Sequence, residues 1–325
     1  MVRLLSRMTR QPSDPRLWAR RRRRLRDNLR AYLFVSPWLI GLLVFTAYPM
    51  LATFYFAMTN YTILTPPRWI GLANFERMFT KDPLFWKSAW NTTYFTVVAV
   101  PLQLIVALTL AMLLNTGVRG IGFYRTAFYL PGLMPAVASG LLWILLLDPS
   151  LGLVNLGLEA IGLPRLGWLR SVTWSRPALI LIALWSGTGA PMLIFLAGLK
   201  EIPQSLLDAA MIDGANAWQR FRHVTAPLLT PTIFFNLLIG IINSFQVFAI
   251  AFVAIGASGA QTQTAGPLNS LLMYMVHLYR SAFRHFDMGY ASAMSLVLFL
   301  ILVLITLVLV RSTSYWVHYE GGGRR

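Results

Sequence analysis

The sequence contains no cysteine, and few of its side chains carry a charge. Without cysteine the chain cannot form a disulfide, a thiolate zinc site, an iron–sulfur cluster or a cysteine nucleophile. Charged residues make up 12% of the sequence and hydrophobic residues 57%, with a mean hydropathy of +0.61. A soluble domain has about 25% charged and about 45–50% apolar residues. The composition therefore excludes a soluble protein and predicts an integral membrane protein.

Charge is missing altogether from six long stretches. A helix needs about 20 residues, at ~1.5 Å each, to cross the ~30 Å hydrocarbon core of a bilayer. Six stretches without Asp, Glu, Lys, Arg or His reach that length, so the sequence predicts an all-α integral membrane protein with six transmembrane helices. The predicted spans are residues 31–58, 91–114, 126–147, 177–199, 231–255 and 288–310.

The charge-free spans also bear on function. Ionisable residues inside membrane helices are typical of proton relays, ion-coupled transporters and voltage sensors. Their absence disfavours an ion-coupled secondary transporter, which is the first alternative, and an intramembrane enzyme, which is the second. Asp148 and Asp287 lie at the edges of predicted spans, where a carboxylate reaches water.

Motifs of soluble catalysis are missing too. A phosphate-binding loop needs a lysine after a glycine, but the lysines are Lys81, Lys87 and Lys200, and none follows a glycine. The patterns G-x-S-x-G and H-E-x-x-H do not occur, and the four histidines are scattered. We therefore expect a transporter subunit and not an enzyme. It would hold no catalytic residue, no metal and no cofactor, and a partner would supply its energy.

Positive charge is concentrated at the N-terminus. The sequence has 28 Lys and Arg against 11 Asp and Glu, and eleven of the 28 lie between Arg3 and Arg30. Such an arm either binds nucleic acid or marks the cytoplasmic side of the first span. A hydrophobic span follows directly, which favours the second interpretation. We predict cytoplasmic termini, with a basic arm at residues 1–30, a membrane domain at 31–311 and a tail at 312–325.

The predicted cytoplasmic connection at residues 200–231 carries the signals of two short helices. Residues 205–213 favour a helix, Gly214 suits the left-handed conformation that ends one, and Asn216 can cap the next. Trp218 begins an apolar face on the second helix. The sequence predicts a helix–glycine–helix elbow at the membrane surface, which contacts either a protein partner or lipid alone. Acidic residues in the first helix favour the protein partner.

The sequence D-A-A-M-I-D-G-A followed by V-T-A-P in this loop resembles the E-A-A…G…I-x-L-P loop in permease subunits of binding-protein-dependent ABC importers. In that family the loop forms a coupling helix, which docks into a cleft of the cytoplasmic ATPase. Two positions depart from the family pattern, since Asp208 replaces Glu and Ala226 replaces Leu. The resemblance implies coupling roles for Asp208, Ala209, Ala210, Gly214, Val224 and Pro227.

Further segments resemble the carbohydrate-uptake branch of these importers, which includes the maltose and glycerol-3-phosphate permeases. The resemblance implies a type I importer permease fold and import of a sugar or related polyhydroxy solute across the inner membrane by alternating access; a non-sugar solute is the alternative. The matching segments are S-P-W-L-I-G-L-L-V-F-T-A-Y-P at 36–49, G-L-A-N-F at 71–75, F-W-x-S-x-x-N-T at 85–92, L-P-G-L-M-P-A-V at 130–137, and residues 265–293, where Ala265 replaces the first glycine of Gly-Gly-Pro.

The resemblance also implies the partners. They would be a second homologous permease subunit, two cytoplasmic ATPase subunits that bind ATP and Mg, and an extracytoplasmic solute-binding protein, all assembled in the lipid bilayer. No nucleic acid is expected. The long predicted external connections, residues 59–90 and 148–176, either dock the solute-binding protein or cap the helix bundle.

The fifth span carries a polar stripe suited to a hydroxyl-rich solute. Its amide residues recur at helical spacing and therefore share one face. In the sugar branch, the segment that residues 241–248 resemble contributes to the substrate cavity. The alternative is that these polar groups hold helices together. We predict a substrate pathway lined by Asn236, Asn243, Ser244, Gln246 and Tyr290.

Overall fold

The computed structural model describes residues 15–116, 119–258 and 264–317, but not the side chains of residues 15–27 and 29. This part of the chain is mostly helical. Its α-helices are α1 (Pro15–Leu42), α2 (Tyr48–Ala57), α3 (Ala73–Glu76), α4 (Pro83–Leu114), α5 (Ile121–Leu133), α6 (Ala136–Leu146), α7 (Leu153–Ala160), α8 (Ser175–Gly187), α9 (Gly189–Glu201), α10 (Gln204–Ile212), α11 (Ala217–Arg220), α12 (Ala226–Leu228), α13 (Thr230–Phe245), α14 (Ala249–Ala257), α15 (Tyr274–Tyr279) and α16 (Met288–Trp316).

Short irregular helical turns join several of these helices. An antiparallel hairpin of strands β1 (Thr59–Thr62) and β2 (Thr65–Trp69) follows α2. The π-helical turns are Leu43–Ala47, Arg77–Lys81, Phe221–Thr225 and Arg280–Arg284, and the 3-10 turns are Trp168–Arg170 and Pro267–Asn269.

The chain divides into two units, Met1–Tyr55 and Phe56–Arg325. The first unit contains α1 and most of α2. The second contains the remaining helices and the hairpin, and it holds every site described below.

The apolar helices agree in number with the predicted spans. Arg30–Ala57, α4 and α16 are each long and apolar enough to cross a membrane. Three bent pairs meet the same test jointly: α5 with α6 at 100°, α8 with α9 at 50°, and Ala217–Leu228 with α13 at 66°. If each pair forms one span, the described residues contain six spans.

Three of the predicted spans are not continuous helices, which corrects the sequence prediction. The fourth of the six is interrupted at Thr188, between α8 and α9. The third is broken at Met134 and Pro135, because a residue before proline is held in an extended conformation and Met134 has ψ 138°. The fifth is broken at residues 246–248, between α13 and α14. Hydropathy alone shows none of these breaks, because no charged residue lies at any of them.

Helix α4 is the central element of the second unit, and it packs against α8, α9, α13 and α15. Its N-cap is Asp82, whose side chain accepts hydrogen bonds from the backbone N–H groups of Leu84 (2.9 Å) and Phe85 (3.2 Å). Pro83 fits the first helical position because that residue needs no N–H partner. The N-terminus of the central helix is thus fixed by the carboxylate that precedes it.

Three buried hydrophobic clusters lie along α4. The largest joins α4, α6, α8 and α14 around Leu179. Another joins the beginnings of α4 and α16 through Phe85 and Met294. The third joins the end of α4 to α9 through Ala107 and Met192. These clusters hold the bundle together.

Candidate functional site

The predicted elbow is present, and its first helix, α10, ends at Gly214 as predicted. Gly214 has φ +79°, and its N–H donates to the carbonyl of Met211 (3.1 Å). The N–H of Ala215 donates to the carbonyl of Ala210 (2.9 Å). This pair of bonds is the Schellman motif, in which glycine adopts the positive φ without steric strain.

The second helix of the elbow begins at Asn216. The Asn216 side chain accepts a hydrogen bond from the Gln219 N–H (2.9 Å), and the Gln219 side chain accepts one from the Asn216 N–H (2.8 Å). This capping box satisfies donors that a helix N-terminus otherwise leaves unpaired. The rings of Trp218 and Phe221 lie next to each other, with centroids 5.5 Å apart. Both ends of the glycine turn are therefore fixed by hydrogen bonds.

The elbow exposes apolar side chains. The exposed fraction is 47% for Met211, 86% for Ile212 and 65% for Trp218. Contiguous exposed apolar surface usually marks a region that a partner or a membrane covers. Among the residues predicted to couple, Asp208, Ala209 and Gly214 are exposed, and Ala210, Val224 and Pro227 are half-buried.

A cavity of about 300 Å³ lies between α4, α8, α9 and α13, at the bend between α8 and α9. Ligand cavities in proteins measure about 300–1,000 Å³ and combine an apolar wall with a few polar groups. This cavity has that character, and none of the described residues that line it is charged. Its polar side chains are those of Gln103, Ser186, Asn236, Asn243 and Ser244.

The three polar lining residues from α13 differ in their partners. Asn236 is 4% exposed and donates to the carbonyl of Thr232 (3.0 Å). Ser244 is also buried, and its hydroxyl bonds to that of Thr96 on α4 (2.8 Å). Asn243 is exposed at the cavity. Ser244 thus links two helices, whereas the Asn243 amide is accessible to a solute.

Gln103 lines the cavity but is absent from the predicted pathway. Its Nε2 donates to the carbonyl of Gly187, the last residue of α8. In an unbroken helix that carbonyl accepts from the residue four positions later, which here is Pro191 and has no N–H. The sequence signal for Gln103 is an amide in the middle of an apolar span, together with Pro191 on another helix, which leaves the Gly187 carbonyl without its usual donor.

The structure does not bring Gln246 or Tyr290 to this cavity. Gln246 is exposed and follows the last residue of α13. Tyr290 is 2% exposed, lies in the first turn of α16, and donates its hydroxyl hydrogen to Asp82 (2.5 Å). Tyr290 therefore belongs to a separate polar network.

This network joins α4, α15 and α16 at one end of the bundle. Asp82 also accepts a hydrogen bond from Nε2 of His277 (2.9 Å). Burial alone raises the pKa of Asp82, but the hydrogen bonds from His277 and Tyr290 and the electrostatic interaction with His277 outweigh it and hold the pKa well below its usual range. Arg77 lies 4.5 Å from the Tyr290 ring and pairs with Asp287 (2.6 Å).

Apolar helices that bend, an exposed elbow and an uncharged polar cavity define a helical membrane transport component. The chain belongs to the family described as binding-protein-dependent transport system inner membrane component, whose model matches residues 85–316. It is thus the membrane subunit of an ABC importer and not an enzyme, because the ATPase of this family is a separate subunit. Membership also implies partner subunits.

Similar proteins cover nearly the whole chain. Probable ABC transporter permease protein YesP of Bacillus subtilis (strain 168) is 43% identical over 91% of this chain and 94% of its own. Trehalose/maltose transport system permease protein MalF of Thermococcus litoralis is 31% identical over 88% of this chain and 94% of its own. A crystal structure of a bacterial ABC transporter that imports alginate matches with a TM-score of 0.77 at 24% identity, over 92% of this chain and 98% of that one. The structural match supports the fold.

Proposed function

We propose that this chain is one half of the permease of an ATP-driven importer and passes a sugar or related polyhydroxy solute through the cavity between α4, α8, α9 and α13. The observation that carries the proposal is the lining of the cavity, where amide and hydroxyl groups stand in an apolar wall without charge among the described lining residues. Such groups match the hydroxyls of an uncharged solute. The relative named for trehalose and maltose transport supports the same class.

The lining also argues against ion-coupled transport. Ionisable groups inside membrane helices are typical of chains that take energy from an ion gradient. Asn243 and Gln103 supply hydrogen bonds but do not change charge. The energy is therefore proposed to come from hydrolysis of ATP, which partner subunits bind together with Mg.

The elbow is the proposed coupling element. Its exposed apolar residues and Asp208 form the surface that contacts the ATPase. The helix Ala217–Leu228 then meets α13 at 66°, and α13 lines the cavity. Movement of the elbow when two ATPase subunits close on ATP is transmitted along this path. The cavity then opens alternately to the two sides of the membrane.

The proposed assembly lies in the inner membrane and contains a second homologous permease, two ATPase subunits and an extracytoplasmic solute-binding protein. Both termini and the elbow lie in the cytoplasm. The high proportion of Lys and Arg in the basic N-terminal arm supports this orientation.

A pair of alanine substitutions tests the cavity. Asn243→Ala removes an exposed amide that lines the cavity, and Gln246→Ala removes an exposed amide that does not. A hydrogen bond to a neutral solute contributes about 0.5–1.5 kcal/mol, so we expect Asn243→Ala to raise the KM of uptake about 3- to 10-fold. Uptake is measured in proteoliposomes that contain the full complex, with equal assembly of both variants as the control. Unchanged uptake by Asn243→Ala would contradict the proposal.

A further inference from the structure

The bend between α8 and α9 joins two parts of the bundle that pack separately. Leu179 of α8 lies in the largest hydrophobic cluster, whereas Met192 of α9 lies in the cluster at the end of α4. Helix α4 contributes to both clusters, through Ala99 to the first and Ala107 to the second. A change of angle at the bend therefore moves one packed part relative to the other.

Gln103 lies on α4 between these two clusters. Residues 95, 99, 103, 107 and 111 follow one another at intervals of four, which places each on the same side of the helix as its neighbours in the row. The other four members are buried apolar residues of the two clusters, and Gln103 is the one polar member. An amide among apolar residues is costly unless it finds a hydrogen-bond partner.

The partner of Gln103 is a carbonyl that the bend leaves without a donor. Pro191 has no N–H for the carbonyl of Gly187, so Nε2 of Gln103 donates to that carbonyl from the neighbouring helix. Backbone polar groups inside a membrane have to be paired within the protein. The Gln103–Gly187 hydrogen bond therefore fixes the bend to α4.

Glycine residues allow close approaches on both sides of the bend. A Cβ added at Gly187 would lie 2.6 Å from Nε2 of Gln103, and one added at Gly189 would lie 2.8 Å from the backbone of Phe128 on α5. The end of a flexible side chain moves aside easily, whereas the backbone of a packed helix does not. The hydrogen bond to α4 is therefore the adjustable contact of the two.

This hydrogen bond is accessible from the first cavity. Gln103, Gly187 and Pro191 all line the cavity of about 300 Å³. A hydroxyl group donates to a carbonyl as an amide N–H does, so a hydroxyl-rich solute in this cavity competes with Gln103 for the Gly187 carbonyl. Beyond the bend, α9 ends at Glu201, and α10 of the elbow begins at Gln204. Helix α9 thus connects the bend to the elbow.

We propose that Gln103 is a positioning residue that holds the α8–α9 bend while the cavity is empty and releases it when a solute hydroxyl takes its place at the Gly187 carbonyl. Release lets α8 and α9 change their angle, and α9 transmits the change to the elbow. The inference rests on the proposed function, because it takes a hydroxyl-bearing solute to enter this cavity. Gln103 then competes with the solute, whereas Asn243 binds it.

The direction of the change in KM separates these two roles. Gln103→Leu removes the competing donor, so we expect the KM of uptake to fall about 3- to 10-fold, the range that one neutral hydrogen bond supplies. The probes are maltose, trehalose and lactose, and uptake is measured in proteoliposomes that contain the full complex. Asn91→Leu is the matched control and should leave KM within about twofold. It removes another amide of α4, which donates to the carbonyl of Leu272 (3.0 Å) and does not line the cavity.

Gly187→Ala tests the same hydrogen bond from the other side. It keeps the Gln103 side chain but places a Cβ where the amide lies, so KM should fall here too. It also keeps every polar group, and it decides by itself if Gln103→Leu does not assemble. Because both substitutions break one bond, the double variant should have the KM of either single variant, whereas independent effects would multiply.

A distance across the bend measures its release directly. The chain has no cysteine, so Leu181→Cys on α8 and Ala197→Cys on α9 together introduce one pair of sites for spin labels, at two exposed positions. We expect a transported probe to change the distance distribution of the labelled complex. Gln103→Leu without solute should give the distribution that the labelled complex with native Gln103 gives with the probe bound.

Three outcomes would overturn the inference. They are a KM that is unchanged or raised in Gln103→Leu or, where that variant does not assemble, in Gly187→Ala, effects that multiply in the double variant, and a distance distribution that a transported probe does not alter. A raised KM would make Gln103 a contact of the solute. If Asn243→Ala still raises KM, the proposed function stands while the role of Gln103 fails. No uptake of any probe by the wild-type complex would overturn the proposed function and the inference with it.

Discussion

Asp82 connects the start of α4 to two helices, α15 and α16, that come much later in the chain. One carboxylate oxygen accepts the N–H groups of Leu84 and Phe85 at the start of α4, and the other accepts hydrogen bonds from His277 and Tyr290. The side chain is mostly buried, with 16% exposed. A partly buried carboxylate with four donors needs its charge, because a neutral group accepts the same bonds more weakly.

Asp82→Asn tests this requirement. The amide keeps the size of the side chain and one acceptor but loses the charge. Hydrogen bonds to a charged group contribute about 1.5–3 kcal/mol, so we expect the melting temperature in detergent to fall by about 3–10 °C. Glu76→Gln is the matched control, because Glu76 pairs with Lys81 on the surface, where the two side chains are 64% and 68% exposed. An equal loss in both variants would contradict the special role of Asp82.

The stability that the charge of Asp82 contributes has a defined pH dependence. The folded-state pKa of Asp82 is lowered from its ordinary value of 3.8, so its stabilisation is fully present above that value. It is lost as the pH falls through the lowered pKa. The charged groups nearby are His277, Arg77 and Asp287. The difference in melting temperature between wild type and Asp82→Asn should therefore not shrink between pH 7 and pH 5.

At the residue scale, sequence periodicity located part of the candidate site. Asn236 and Asn243 lie seven residues apart on α13 and both line the cavity, because residues at helical spacing share a face, and Ser244 lines it beside them. Periodicity fails for Gln246, which lies where α13 ends, and it carries no information on Tyr290, whose partner Asp82 is 208 residues away. Contacts between distant segments depend on the packing of the whole bundle.

At the scale of elements, the glycine turn of the elbow keeps α10 and α11 in a fixed relation. Gly214 has φ +79°, and Gly162, in a different loop, has the same φ. Each donates its N–H to a carbonyl three residues earlier, and a Cβ at either would meet no atom within 4 Å. The two glycines thus have matched local structure in different places.

Gly214→Pro and Gly162→Pro use this match to test coupling. Proline fixes φ at about −65° and removes the N–H, so each variant breaks its own turn to a similar degree. We expect Gly214→Pro to abolish solute-stimulated ATPase activity, or to release the ATPase from the purified complex, with normal membrane insertion. Gly162→Pro should leave the ATPase bound to the purified complex. Solute-stimulated hydrolysis at the wild-type level in Gly214→Pro would remove the elbow from the coupling path.

Most elements could be predicted from the sequence, but hydropathy does not predict where they break. Charge-free length predicts a span because lipid excludes charged groups, and this holds for straight and bent helices alike. The break between α8 and α9 depends on an interhelical contact. A Cβ at Gly189 would lie 2.8 Å from the backbone of Phe128, so α5 packs directly on this glycine. Hydropathy contains no information on such an approach.

For the whole molecule, orientation in the membrane decides the proposed role of the elbow. The proposed contact between the elbow and an ATPase requires the elbow to lie in the cytoplasm. Ile212 on the elbow is 86% exposed, and Leu151, in the connection between α6 and α7, is 83% exposed. These two side chains are equally accessible, and the proposed orientation places them on opposite sides.

The absence of cysteine makes the orientation directly measurable. The wild-type chain has no thiol, so Ile212→Cys and Leu151→Cys each introduce a single reactive site without further changes. We expect a membrane-impermeant maleimide to label Leu151→Cys in intact spheroplasts and to label Ile212→Cys only in inverted vesicles stripped of the ATPase. Wild type gives the background. Labelling of Ile212→Cys from outside would place the elbow and the ATPase on opposite sides of the membrane, and the proposed coupling path would fail.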